Sequence, residues 1–317
     1  MAMMFESLED IAHVETLRGA DADPNATPDL LVEVSHGADR RKHFDTLRAR
    51  LVGDLPDDLH VFFHANTDQG AWDYGRRVAE LAVACDPTRS ALLIRCLVPR
   101  TFVDTNRLAD AEDQLASGGL SAGIPSYVRH PDDRALLLSI HRAYVELVER
   151  AYAWVCGAGG FALLPHTYSP RSMGIPGVDD NIVAALRAAY AEPQWSKWPL
   201  RPDIDLITKD QDGVGFAAEG MAEDLLAAYR ALGFDAVDSM TYTLHPSTQG
   251  TRYTKRYPGQ TIALEVRRDL LRKRFHLFEE LEVSPSAVDR IAGPLADEID
   301  GWLRRRAESS THSWNRR

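Results

Sequence analysis

Apolar positions along this chain follow two rhythms. Short apolar runs such as Leu30-Leu31-Val32-Glu33-Val34 and Ala91-Leu92-Leu93-Ile94-Arg95-Cys96-Leu97-Val98 have the length of strands. Between them lie longer stretches with apolar residues every three or four positions, the spacing of one helix face. The runs predict strands at 30–35, 61–63, 91–98, 161–165, 204–208, 236–242 and 260–266. The periodic stretches predict helices at 40–51, 72–84, 131–156, 179–191, 220–232 and 284–306. In the 131–156 stretch Leu137, His141, Tyr144, Leu147 and Val148 share one side, and Gly157-Ala158-Gly159-Gly160 stops it.

Strands alternate with helices throughout, without an internal repeat or a dividing linker. That pattern predicts an α/β fold: a single three-layer α/β/α domain with a mostly parallel, mixed central sheet. Residues 1–28 contain Gly, Asp, Asn and Pro and read as an irregular lead-in to a domain at 29–317. Residues 116–126, rich in Gly and Ser, read as a flexible excursion.

Charge narrows the function classes. A formal net charge of -11 over 317 residues argues against a nucleic-acid or anionic-membrane surface, while leaving room for a small anion in a locally basic pocket. Apolar runs fall short of a transmembrane helix, and the acidic N-terminus does not read as a signal peptide. Cys85, Cys96 and Cys156 form no CxxC pair and sit in apolar contexts, as reduced core thiols of a cytoplasmic protein do.

Several polar residues stand where an α/β sheet places its chemistry, at the carboxyl ends of strands. His36 ends the first apolar run, with Asp39 three residues on, and His166 ends Phe161-Ala162-Leu163-Leu164-Pro165. Two histidines and a carboxylate are the ligand set of a catalytic zinc site with one position open to water. The plainer alternative is an exposed histidine and a helix-capping Asp39. Arg100 and Arg107 flank an Asp-Thr-Asn turn after a strand, where guanidinium groups suit a substrate carboxylate or, more plainly, cap helix carbonyls. Glu265 lies near the end of the apolar strand Thr261-Ile262-Ala263-Leu264-Glu265-Val266. It would be a general base facing a metal-bound water, or a sheet residue paired with Arg267 or Arg268. His64 is a candidate neighbour of the site. His141 reads as a hydrogen-bonded core histidine, or as a residue of the pocket. His245 opens a loop through Gly250 that reads as a surface loop or a lid.

The order His36-x-x-Asp39, Asn106-Arg107, His166, Glu265 resembles the zinc carboxypeptidase-like hydrolases, and more closely the N-formylglutamate amidohydrolase family. The most specific part is PRTFVDTNR at 99–107. Thr67-Asp68, Ile140-His141-Arg142-Ala143-Tyr144, the 203–210 segment, the 251–259 segment and Ala263-Leu264-Glu265 are similar to further family segments, so the resemblance spans roughly residues 30 to 272. The chain departs from the family at His36-Gly37-Ala38-Asp39 and Leu164-Pro165-His166-Thr167, where the family has His-Ser-Gly and Asp-Cys-His-Ser.

The resemblance implies a phosphorylase/hydrolase-like fold and one Zn2+ per chain, held by His36, His166 and a carboxylate. Asp39, which fits the HxxE-type spacing, is favoured for that carboxylate. Asp68, at the family's Thr-Asp position, is then the residue behind the ligands, or the ligand itself. Glu265 is implied as the base, Arg100 or Arg252 as the oxyanion partner, and Asn106, Arg107, Arg252 and Tyr253 as substrate-binding residues. The implied activity is hydrolysis of an N-acyl or peptide-like amide next to a free carboxylate, on a small substrate. The alternatives are a zinc carboxypeptidase acting on a peptide or peptidoglycan stem and a non-catalytic binding protein of the same fold.

Overall fold

The computed structural model describes residues 5–108, 123–175, 177–272, 274 and 276–314, with side chains of the last helix described to residue 308. Strands β1 (Ala12–Arg18), β2 (Leu30–Val34), β3 (Ser90–Cys96), β4 (Phe161–Tyr168), β5 (Ile204–Ile207), β6 (Ala236–Asp238) and β7 (Thr261–Arg267) form one sheet in the order β1-β3-β2-β4-β7-β5-β6. The central strands β3, β2, β4 and β7 run parallel. β1 pairs antiparallel with β3, and β5 antiparallel with β7. The sheet is therefore mixed, with a parallel centre.

Helices α1 (Arg41–Arg48), α2 (Leu59–Asn66), α3 (Ala71–Cys85), α4 (Pro131–Val155), α5 (Ile182–Tyr190), α6 (Gln194–Lys197), α7 (Met221–Ala231), α8 (Gln249–Arg256) and α9 (Pro285–Trp314) flank it. Because side chains alternate across a strand, each strand feeds two cores. Leu31, Ala162, Leu164 and Ala263 join α1, α2, α4, α5 and α8 on one face. Leu30, Val32, Leu163, Ile262 and Leu264 join α3, α7 and α9 on the other. This is the three-layer α/β/α arrangement that the alternation predicts. No helix among the described residues is long and apolar enough to cross a membrane.

Four expectations are corrected. The lead-in is not wholly irregular, since 12–18 form β1. Its burial is partial at most positions after Ala12, so it lacks the apolar run that marks the central strands. Val61-Phe62-Phe63 lies in α2, not a strand, because a run of three apolar residues carries no period. The strand expected at 236–242 ends at Asp238. Cys85 is exposed at the end of α3, whereas Cys96 and Cys156 are buried as expected. The excursion at 116–126 falls mostly outside the described residues; 123–126 carry no regular structure.

Candidate metal and substrate site

Because β2, β3, β4 and β7 run parallel, their carboxyl ends open on one edge, where side chains from separate segments can meet. His36 stands two residues beyond β2, in a turn pressed against β3. A Cβ at Gly37 would lie 2.6 Å from Arg95 Cγ and 3.0 Å from the Cys96 carbonyl oxygen, so a larger residue would push this turn out. Asp68 lies in the short connection from α2 to α3. Thr67 Oγ1 donates to the Ala38 carbonyl at 2.7 Å, tying that connection to the His36 turn. Arg268, buried beyond β7, donates to the carbonyls of His64 at 3.1 Å and Ala65 at 2.8 Å, holding the end of α2 that leads into Asp68. His166 is inside β4, with Glu265 its register partner on β7.

These segments bring two imidazoles to one carboxylate oxygen. Asp68 Oδ2 lies 3.1 Å from His36 Nδ1 and 2.9 Å from His166 Nδ1. One ligand-type atom from each residue lies within 4.8 Å of the others, and all three residues are buried. Burial alone would protonate Asp68. The two histidines outweigh it and hold the carboxyl far below its usual range. Two nitrogen donors and one ionised oxygen donor are the set that suits a divalent cation of the zinc type. The residues therefore fit a metal.

The next shell is equally specific. His36 Nε2 lies 2.8 Å from Asp104 Oδ1. Arg100 Nη2 donates to Asp104 Oδ2 at 3.0 Å, and Arg107 Nη1 is 3.6 Å from the same oxygen. Burial opposes ionisation of Asp104, but Arg107, Arg100 and His36 outweigh it and keep its carboxyl well below the usual range. Glu265 is the contrasting acid. Its Oε2 is shut off from solvent with no hydrogen-bond donor among the described residues. Burial, reinforced by the Asp68 charge, raises its pKa to about 7. The side-chain pair with Arg267 or Arg268 is not formed: Arg267 binds Asp203 and Asp269 instead.

A cleft of about 300 Å³ opens onto these groups, lined by His36, His166, Glu265, Arg100, Asn106 and Arg107 among others. The structure thus gathers most of the sequence candidates and separates three. Asp39 is not at the cluster. It pairs with Arg95 at 2.5 Å on the far side of the turn, with Arg40 at 3.4 Å. The i to i+3 spacing misleads because helix α1 starts only at Arg41, so His36 and Asp39 share no helical face. Arg252 faces Glu149 of α4 at 3.1 Å, and Tyr253 is buried with its ring stacked on Tyr152 at 4.1 Å. Neither lines the cleft.

The remaining histidines divide similarly. His141 holds the Arg107 carbonyl through Nε2 at 2.8 Å, a core histidine that fixes the Arg107 loop. His64 is away from the cluster, packed against Phe63, and burial lowers its pKa to about 4. His245 lines the cleft, its Nδ1 held by Ser247 Oγ at 2.7 Å. Asn106 Oδ1 accepts from the Gly250 amide at 2.9 Å, so its amide nitrogen is the donor it could offer a ligand. Two residues of the site carry no sequence signal of their own: Asp104 is one of several polar residues within PRTFVDTNR, and Arg268 stands beside Glu265 in sequence but contacts α2 instead.

No family model matches the chain, and no curated protein matches it in sequence. Solved structures do. The fold is similar to that of gene product Atu2144 from Agrobacterium tumefaciens, with 18% identity and a TM-score of 0.51, covering 94% of this chain and 96% of that one. It is also similar to N-formylglutamate amidohydrolase from Ralstonia eutropha JMP134, with 15% identity and a TM-score of 0.52, covering 93% of this chain and 99% of that one. At these identities the likeness is one of fold.

Proposed function

We propose that this protein is a metal-dependent amidohydrolase that cleaves an N-acyl amide bond beside a free carboxylate. The observation that carries the reading is the convergence of His36, Asp68 and His166 next to Glu265, a buried acid with an unpartnered oxygen. The name of the Ralstonia neighbour points the same way. His36, Asp68 and His166 would hold one Zn2+ per chain, which supplies Lewis acidity toward the amide carbonyl and makes water more acidic.

The other steps belong to the chain itself. Asp104 fixes the tautomer and ring plane of His36 by occupying Nε2, which leaves Nδ1 for the metal. Glu265, with its pKa near neutrality, takes the proton from the attacking water and passes it to the leaving amine. Arg100 presents a guanidinium beside His36 and Asp68, where negative charge develops on the carbonyl oxygen. Arg107 and the Asn106 amide would hold the substrate carboxylate.

The cleft volume favours a small N-acyl amino acid over a peptide or peptidoglycan stem, because it lies at the low end of ligand pockets, about 300–1,000 Å³. The test pairs two measurements on purified protein: elemental analysis, and hydrolysis of a panel of N-acyl amino acids with their amide-capped counterparts. One zinc per chain with cleavage confined to the free acids supports the reading. Absence of both zinc and turnover in folded, zinc-supplied protein would leave a non-catalytic binding protein.

A further inference from the structure

The floor of the cleft includes His166 and Glu265 from one row of the sheet and Leu164, Ala263 and Ile207 from a second, across β4, β7 and β5. His166 pairs with Glu265, and Glu265 with Asp205. Two residues earlier along β4 and β7, Leu164 pairs with Ala263 through the neighbouring strands' alignment, and Ala263 with Ile207. Leu164 is the register partner of Ala263, and the side chains of a strand repeat every second residue, so both rows face the same side of the sheet. They are separated by two residues of strand, roughly 7 Å. One row is chemical and the other wholly apolar.

The apolar row is extended by apolar neighbours, among hydroxyl-bearing residues of the cleft wall. Leu244 stands in the cleft wall, and Tyr242 stands at the mouth with 36% of its surface exposed. The first turn of α8 comes down over Leu164: a Cβ at Gly250 would lie 3.1 Å from Leu164 Cδ2. The permanent cations lining the cleft among the described residues are Arg100 and Arg107. Both are turned toward Asp104, and Arg100 is also 3.7 Å from Asp68. The cleft thus offers one cationic corner and, two strand residues from Glu265, an apolar row; the polar side chains that line the rest of the cleft, Thr243, His245, Thr248 and Thr251, include no permanent cation to pair a second carboxylate.

We propose, on the basis of the amidohydrolase reading, that the substrate carries a single carboxylate and an apolar aliphatic or aromatic group that lies over Leu164, Ala263 and Ile207. A second carboxylate in that place would lose its hydration without gaining a cation, and it would approach the Glu265 and Asp68 acids. An apolar group there is desolvated at no such penalty. The preferred class is N-acyl derivatives of apolar amino acids, or apolar acyl derivatives of small amino acids. N-acyl dicarboxylic amino acids are disfavoured.

The experiment uses the zinc-loaded full chain and measures kcat/KM for N-formyl-leucine, N-hexanoylglycine, N-formylglycine and N-formylglutamate. N-formyl-leucine or N-hexanoylglycine is expected to exceed N-formylglutamate by tenfold or more, and which of the two does so tells whether the apolar group is the side chain or the acyl chain. Ile207→Lys, which places a cation in the apolar row, is expected to shift the ratio toward N-formylglutamate. Equal rates, or a preference for N-formylglutamate, overturn the inference while leaving the amidohydrolase reading in place. If no member is hydrolysed, that reading fails. Competitive binding of the same panel, read by thermal shift, then decides: tighter binding of the apolar ligands upholds the inference, and tighter binding of N-formylglutamate overturns it.

Discussion

His36 Nε2 and Asp104 Oδ1 meet at 2.8 Å, joining residues 68 positions apart in the chain. The contact orients the imidazole, and Asp104 is itself held by Arg100 and Arg107. Substituting Asp104→Asn removes the charge while keeping the shape, and it lets an amide rotamer satisfy the wrong tautomer of His36. Metal affinity is expected to fall by about 10–100-fold, the usual effect of losing such a partner. Zinc titration against a competing chelator measures it. Unchanged affinity would mean that His36 is positioned by its turn alone.

The acidic ligand is decided by comparing two alanine variants. Asp68→Ala is expected to lose zinc, because Asp68 is the carboxylate that both histidines face. Asp39→Ala is expected to keep zinc and lose stability, by about 3 kcal/mol, because it removes the carboxylate that Arg95 contacts in a mostly buried place. Elemental analysis and urea unfolding of both variants check the pair. Zinc lost only from Asp39→Ala would reverse the assignment.

The carboxylate corner is tested by Arg107→Lys. Lysine keeps the charge and loses the planar fork, so the expected result is a KM for free-acid substrates raised about tenfold, with zinc content unchanged. Steady-state kinetics on a substrate and its amide-capped analogue read the effect. The capped compound should respond little. Equal loss on both would remove Arg107 from carboxylate recognition.

What was legible in the sequence follows the strength of the local signal. The central strands announce themselves because both faces of β2, β3 and β4 are buried, which leaves nearly unbroken apolar runs. β1 does not, because after Ala12 its positions are only partly buried and accept polar residues. His36, His166 and Glu265 are legible because each interrupts or ends such a run. Asp68 is legible only through the resemblance, at the family's Thr-Asp position, where Asp39 is the favoured ligand; the short α2–α3 connection that presents Asp68 carries no apolar run to mark it. Arg252 and Tyr253 were misplaced because the segment similarity carries no orientation: α8 turns Tyr253 inward to Tyr152 and Arg252 outward to Glu149. Contacts such as His36 to Asp104 exist only once the strands are paired.

The central claim is that Glu265 moves the proton beside a metal held by His36, Asp68 and His166. Glu265→Gln preserves size and removes the base, so its kinetics in zinc-loaded protein are the most direct measurement. The account predicts a folded variant with normal zinc content, kcat lowered by on the order of 10² or more and KM little changed. Turnover at the parent rate, in a variant that still holds zinc, would contradict it.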